Sequence, residues 1–161
     1  MPAPVKTKIQ QIVELMATMW MGVTVPNLTN RDVLTHVNAY VSSKESATAL
    51  PFVVIEPYGG AVDIRAGAMM NVKDKLKCYL CLDKAGSGAD LKDLLEQATY
   101  WRDPVFVYFA GNLRLGGSLD FLTIAYISAW DVKQYHTGDV DYLALLFEFV
   151  VEENWPITVS P

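Results

Sequence analysis

The chain has 161 residues, 52% of them hydrophobic and 19% charged, with a formal net charge of −5. That length fits one domain, residues 1–161, with a buried core. The acidic balance excludes a general nucleic-acid binder, which needs a basic stripe to neutralise phosphates. No run approaches the ~18 consecutive apolar residues of a transmembrane helix, so no membrane association is expected. Residues 1–11 carry two lysines and no apolar stretch before Ile12, so a secretory leader is not expected either. The two cysteines then read as free thiols of a reducing cytosol. The apolar content is rich for so small a domain, and surplus apolar surface tends to end on a partner.

Val5, Ile9, Ile12, Val13, Met16, Met19 and Trp20 recur at three- and four-residue spacing, which predicts an amphipathic helix over residues 4–20. Pro4 suits its first turn. Thr29-Asn30-Arg31-Asp32 resembles an acidic capping box ahead of Val33, Leu34, Val37, Tyr40 and Val41, predicting a short helix over 31–42. The small polar residues 42–49 read as a loop. Phe52-Val53-Val54-Ile55, closed by Pro57 and Gly59-Gly60, reads as a strand over 51–57 covered on both faces. In residues 58–73, Val62, Ile64 and Ala66 alternate with Asp63 and Arg65 as in a half-buried strand. Residues 75–83 alternate cleanly, with Leu76, Cys78, Leu80 and Leu82 on one face.

Ser87 and Asp90 offer a cap for a helix over 87–101, with Leu91, Leu94, Leu95, Ala98 and Trp101 facing inward. Pro104 is expected to end it. Residues 105–109 and 113–115 then read as a small hairpin around Ala110-Gly111-Asn112. Two long β-runs close the chain, 120–135 and 139–152, joined by the turn-like His136-Thr137-Gly138-Asp139. Both faces of these strands are largely apolar, so both are expected to be covered. The fold class is α+β: a mixed, mainly antiparallel sheet packed against an N-terminal and a central helix, with a long C-terminal β-hairpin.

Candidate chemistry is sparse. Cys78-Tyr79-Leu80-Cys81 has redox or half-zinc spacing. In a strand, however, residues three apart point to opposite faces and lie ~10 Å apart, beyond the ~7 Å between Cα atoms that a disulfide spans. His36 and His136 lack neighbours with metal-ligand spacing and read as surface residues. Tyr58-Gly59-Gly60 and Gly86-Ser87-Gly88 lack the helix or the cation of a phosphate cradle. Glu148, among apolar neighbours, is a candidate acid or base, but a salt bridge or subunit contact is the simpler reading. No catalytic residue, metal ligand or cofactor site is assigned. The second half is rich in Tyr and Trp, which interfaces favour.

The order of an N-terminal helix, a Leu50-Pro51 β-run to Pro57, an excursion, a strand–helix unit over 75–101 and two closing strands ending in Glu153-Asn154-Trp155 resembles the tail terminator (tail-completion) proteins of long-tailed bacteriophages. The resemblance spans nearly the whole chain in element order and texture, without a diagnostic motif. It implies a hexameric ring at the head-proximal end of the tail, bound to the tail tube protein and the head–tail connector. Such a ring ends tube polymerisation and belongs to the neck of a virion assembled in the host cytoplasm. An acidic lumen would let DNA slide through without specific binding. Residues 58–74 depart most from a compact pattern and are expected to form a loop or hairpin reaching a neighbour. Met69, Met70, Trp130, Tyr135 and Trp155 are the interface candidates, chosen by residue type and position. Two alternatives stand beside this reading. One is another neck, connector or tube-type subunit. The other is a small ligand-binding or enzymatic domain with a site built from residues 58–65, Glu148 and the strand ends.

Overall fold

A computed structural model of the protein describes residues 7–26, 34–41, 50–65, 69–86, 91–115 and 123–156. Helix α1 is Lys8–Met21. Thr7 is extended, and its side chain accepts the Gln10 N–H while the Gln10 side chain accepts the Thr7 N–H. This capping box sets the start, four residues later than the apolar spacing alone suggested; Pro4 lies outside the described residues.

The helix expected over 31–42 is not present in its described part. Thr24–Pro26 (β1) pairs antiparallel with Leu34–His36 (β2), and Asn38–Val41 (β3) runs parallel to the next strand. Thr35, Val37 and Val41 are β-branched, which weakens a short helix and suits an extended chain. The loop expected over 42–49 lies outside the described residues.

Phe52–Arg65 (β4) and Met69–Lys84 (β5) form one long antiparallel hairpin. Pro57 does not end β4. Its register shifts between Pro57 and Gly59, and Gly59 takes φ 120°, so a glycine bulge carries the strand past the missing N–H.

Helix α2 is Leu91–Ala110, with Pro104 inside it. This overturns both the expected end near Trp101 and the hairpin over 105–115. Proline costs an interior helix about 3 kcal/mol. Here Ala98, Trp101, Val105 and Phe109 continue a single inward face across it, and all four are buried; burial of that face outweighs the break. Beyond Ala110 the chain turns tightly: Asn112 Nδ2 donates to the Tyr108 carbonyl, and the Leu115 N–H to that of Asn112. The predicted cap, Ser87 with Asp90, lies outside the described residues.

Thr123–Thr137 (β6) and Val140–Pro156 (β7) form the C-terminal hairpin. The Thr137↔Val140 pair closes it, and Gly138 takes φ 58° in the turn. The sheet order is β3-β4-β5-β7-β6, antiparallel except for β3 and β4. Two helices thus pack on a curled, mostly antiparallel five-stranded sheet.

The helix-side face holds the main core. Trp20 is fully buried at its centre, with ring centroids 5.1 Å from Phe109, 5.6 Å from Phe147 and 6.3 Å from Phe149. The opposite face curls over a smaller cluster of Phe52, Val54, Cys81, Tyr135, Tyr142 and Ala144. Curl is required there. Tyr135 on β6 donates its hydroxyl to Glu56 Oε1 on β4 at 3.0 Å, although a flat sheet separates those strands by three spacings, about 14 Å.

Candidate functional site

The two cysteines behave as strand alternation requires. Cys78 lies in the main core and Cys81 in the smaller cluster on the other face. Burial pushes both thiols up, that of Cys81 to about 12, so neither is a thiolate near neutrality. Both should resist a thiol reagent in the folded protein and react in denaturant; fast labelling of native protein would contradict their placement. His136 is exposed in the hairpin, its Nδ1 2.6 Å from Asp141 Oδ1, and His36 is in β2. Among the described residues no three His, Cys, Asp or Glu side chains form a metal-binding group.

The concave face carries a polar row. Glu56, Lys77 and Glu148 are cross-strand neighbours on β4, β5 and β7. The Lys77 ammonium lies 4.7 Å from the centre of the Tyr58 ring, and the rings of Tyr79 and Tyr135 are 4.7 Å apart. Burial, then Glu148, raises the Tyr58 hydroxyl, and burial, then Glu56 and Glu148, raises that of Tyr79. Burial and the bond to Glu56 hold Tyr135 well above the ordinary tyrosine range. These phenols are hydrogen-bond donors, not bases, and the lysine already lies between the two carboxylates. The row stitches the curl together.

The most exposed feature is elsewhere. Every residue from Pro57 to Ile64 is exposed, so this part of β4 stands clear of the body as an arm, backed by β5 and the end of β7. Val62 is 63% and Ile64 73% exposed. Register places Val62 opposite Val72, Ile64 opposite Met70, and Met70 opposite Trp155. Directly opposed residues share a face, so these five make one apolar stripe on the helix side, which α1 meets through Lys8 at Trp155. Arm residues 56–65 have no ladder partner on their outer edge among the described residues.

The arm is anchored, level with Val62 and Asp63, by residues that sequence reasoning passed over. Glu153 is 1% exposed. Its Oε2 meets Lys8 Nζ at 3.3 Å and accepts the Trp155 indole N–H, while Oε1 has no hydrogen-bond partner. The Lys8 ammonium also lies 5.4 Å from the Trp155 ring centre. On the other face, Asn71 is buried and donates to Glu152 and Asn154, at 3.0 Å each. One signal was available: Lys8 stands in the first turn of α1, where the helix dipole disfavours a cation, so a tertiary partner was to be expected.

Partial burial, and next the Glu153 charge, raise the Asp74 carboxyl above its ordinary 3.8. The folded state therefore holds this proton more tightly than the unfolded state, and stability falls as pH rises through the window above 3.8. Asp74→Asn does not titrate. Its stability advantage over the parent should grow across that window and then level off, measured as urea midpoints at successive pH values; a constant offset would contradict the assignment.

Of the interface candidates, Met70 and Trp155 adjoin each other on the arm. Met69 pairs with Arg65 and Pro156. Trp130, 38% exposed, sits on β6 beneath the Arg102 guanidinium of α2, 5.3 Å from the ring centre. Tyr135 is 6% exposed and lies inside the subunit. Between the end of α2 and β6, Phe106, Phe109, Ala110, Leu113, Tyr126 and Ile127 line an open apolar cleft of about 260 Å³. No protein-family model and no curated protein matches the chain in sequence.

Proposed function

We propose that this chain is a structural protein of the tail-terminator type, assembling as a ring on the head-proximal end of a phage tail tube. The ring ends tube growth and presents a surface to the head connector. The observation that carries this reading is the arm, whose apolar stripe of Val62, Ile64, Met70, Val72 and Trp155 outruns the subunit's own core. An isolated subunit leaves Val62 and Ile64 in water, and an exposed apolar patch marks a protein contact. The net charge of −5 suits a ring through which DNA slides without being held. A small-molecule site draws less support, because Lys77 already lies among the polar groups of the concave face.

The test is to add the protein to polymerising tail tube protein and view the tubes by electron microscopy. Shortened tubes, each with a ring at one end, are expected. Incorporation along the tube would instead favour a tube-type subunit, and tubes unaffected in length and ends would overturn the reading.

A further inference from the structure

The large hydrophobic side chains exposed among the described residues segregate. Tyr58, Val62, Ile64 and Trp155 lie on the arm; Leu95 and Val107 lie on α2, Leu113 in the turn after it and Trp130 on β6. Only Met21 and Leu50 of that set fall elsewhere. The arm belongs to the β4 side of the sheet and the second patch to the β6 side, its opposite edge. Their shapes differ in the complementary sense: the arm is a ridge, whereas the end of α2 and the start of β6 enclose the apolar cleft, with the exposed Leu113 on its lining. Their charges also differ. The helix-side face of the arm offers the half-buried Asp74, Glu153 being buried and paired with Lys8, whereas the exposed Arg114 adjoins Leu113 at the cleft.

Two unlike, complementary patches on opposite edges are what a head-to-tail contact requires. A two-fold pair built on one patch leaves the other in water, and patches on opposite edges of the sheet do not face one partner together, whereas head-to-tail contacts that close into a ring bury both. We propose that copies of this chain join head to tail, the arm of one seating Val62 and Ile64 in the α2–β6 cleft of the next. This names the contact behind the ring reading and rests on self-assembly, not on the tube.

The test uses two variants of the full chain, each altering an exposed residue: Ile64→Asp, which spoils the ridge, and Ala110→Trp, which fills the cleft. Circular dichroism and continued protection of Cys78 and Cys81 check that both fold. By light scattering or native mass spectrometry, each variant alone should self-associate at least about 100-fold more weakly than the parent, as expected for a charge at a buried aliphatic contact. An equimolar mixture retains one good arm and one good cleft per pair, so it should form 1:1 dimers and nothing larger. Ala110→Trp assembling like the parent would overturn the proposal. So would a mixture that stays monomeric, or a parent that is monomeric at every attainable concentration. Dimers in the mixture without any effect of the parent on tubes would leave this contact standing and remove the terminator reading.

Discussion

Trp20→Ala is expected to lower stability by about 3–5 kcal/mol, the range for removing a large aromatic from a close-packed core. Trp20 joins the layers of this fold. It projects from α1, is fully buried, and touches Phe109 of α2 and both Phe147 and Phe149 of β7. No neighbour can collapse into the space without pulling a helix off the sheet. The variant should melt at least about 5 °C below the parent in a thermal scan. Trp20→Phe, which keeps part of the ring volume, should recover a substantial share of the loss. A change below about 1 kcal/mol for Trp20→Ala would mean that the helices do not share this core.

Lys8→Ala is the second large effect, at about 1–3 kcal/mol, the cost of stranding a buried polar group. The lysine is 40% exposed, so solvent screens its side of the pair, but Glu153 is 1% exposed and one of its oxygens already lacks a partner. Removing Lys8 leaves the buried carboxylate relying on a neutral donor, the Trp155 N–H. The double variant Lys8→Ala, Glu153→Leu removes the buried charge together with its partner and should regain most of the loss, as paired replacements of buried ions often do. Urea unfolding of the parent, the two single variants and the double variant measures this. If the double variant were as unstable as the sum of its parts, the lysine would not be serving the carboxylate.

The helical spacing from Ile9 to Trp20 marked α1, and alternation marked residues 75–83 and both closing strands. That alternation also put Cys78 and Cys81 on opposite faces, as found. Local rules failed where tertiary burial overrode them. Pro104 reads as a stop, yet the inward face runs through it to Phe109, because the sheet covers that face. Residues 34–41 carry apolar spacing loose enough for a helix, and their β-branched content and the available edge of β4 decide for strands. Tyr135 stands beside a turn and reads as surface, but curl carries it across two strands to Glu56. Curl is a property of the whole sheet, and no window of sequence records it. The arm was half legible: alternation at Val62 and Ile64 suggested a strand, but not that its apolar side would face solvent. The pairing of Lys8 with Glu153, 145 positions apart in sequence, had no local signature beyond an ill-placed cation.

We propose that this subunit works as a ring on a tube end. This role is tested most directly by the mass of the purified protein at two concentrations, with and without tail tubes, by light scattering or native mass spectrometry. A hexamer, or a monomer that becomes one when tubes are added, is expected. A strict monomer that ignores tubes would contradict it.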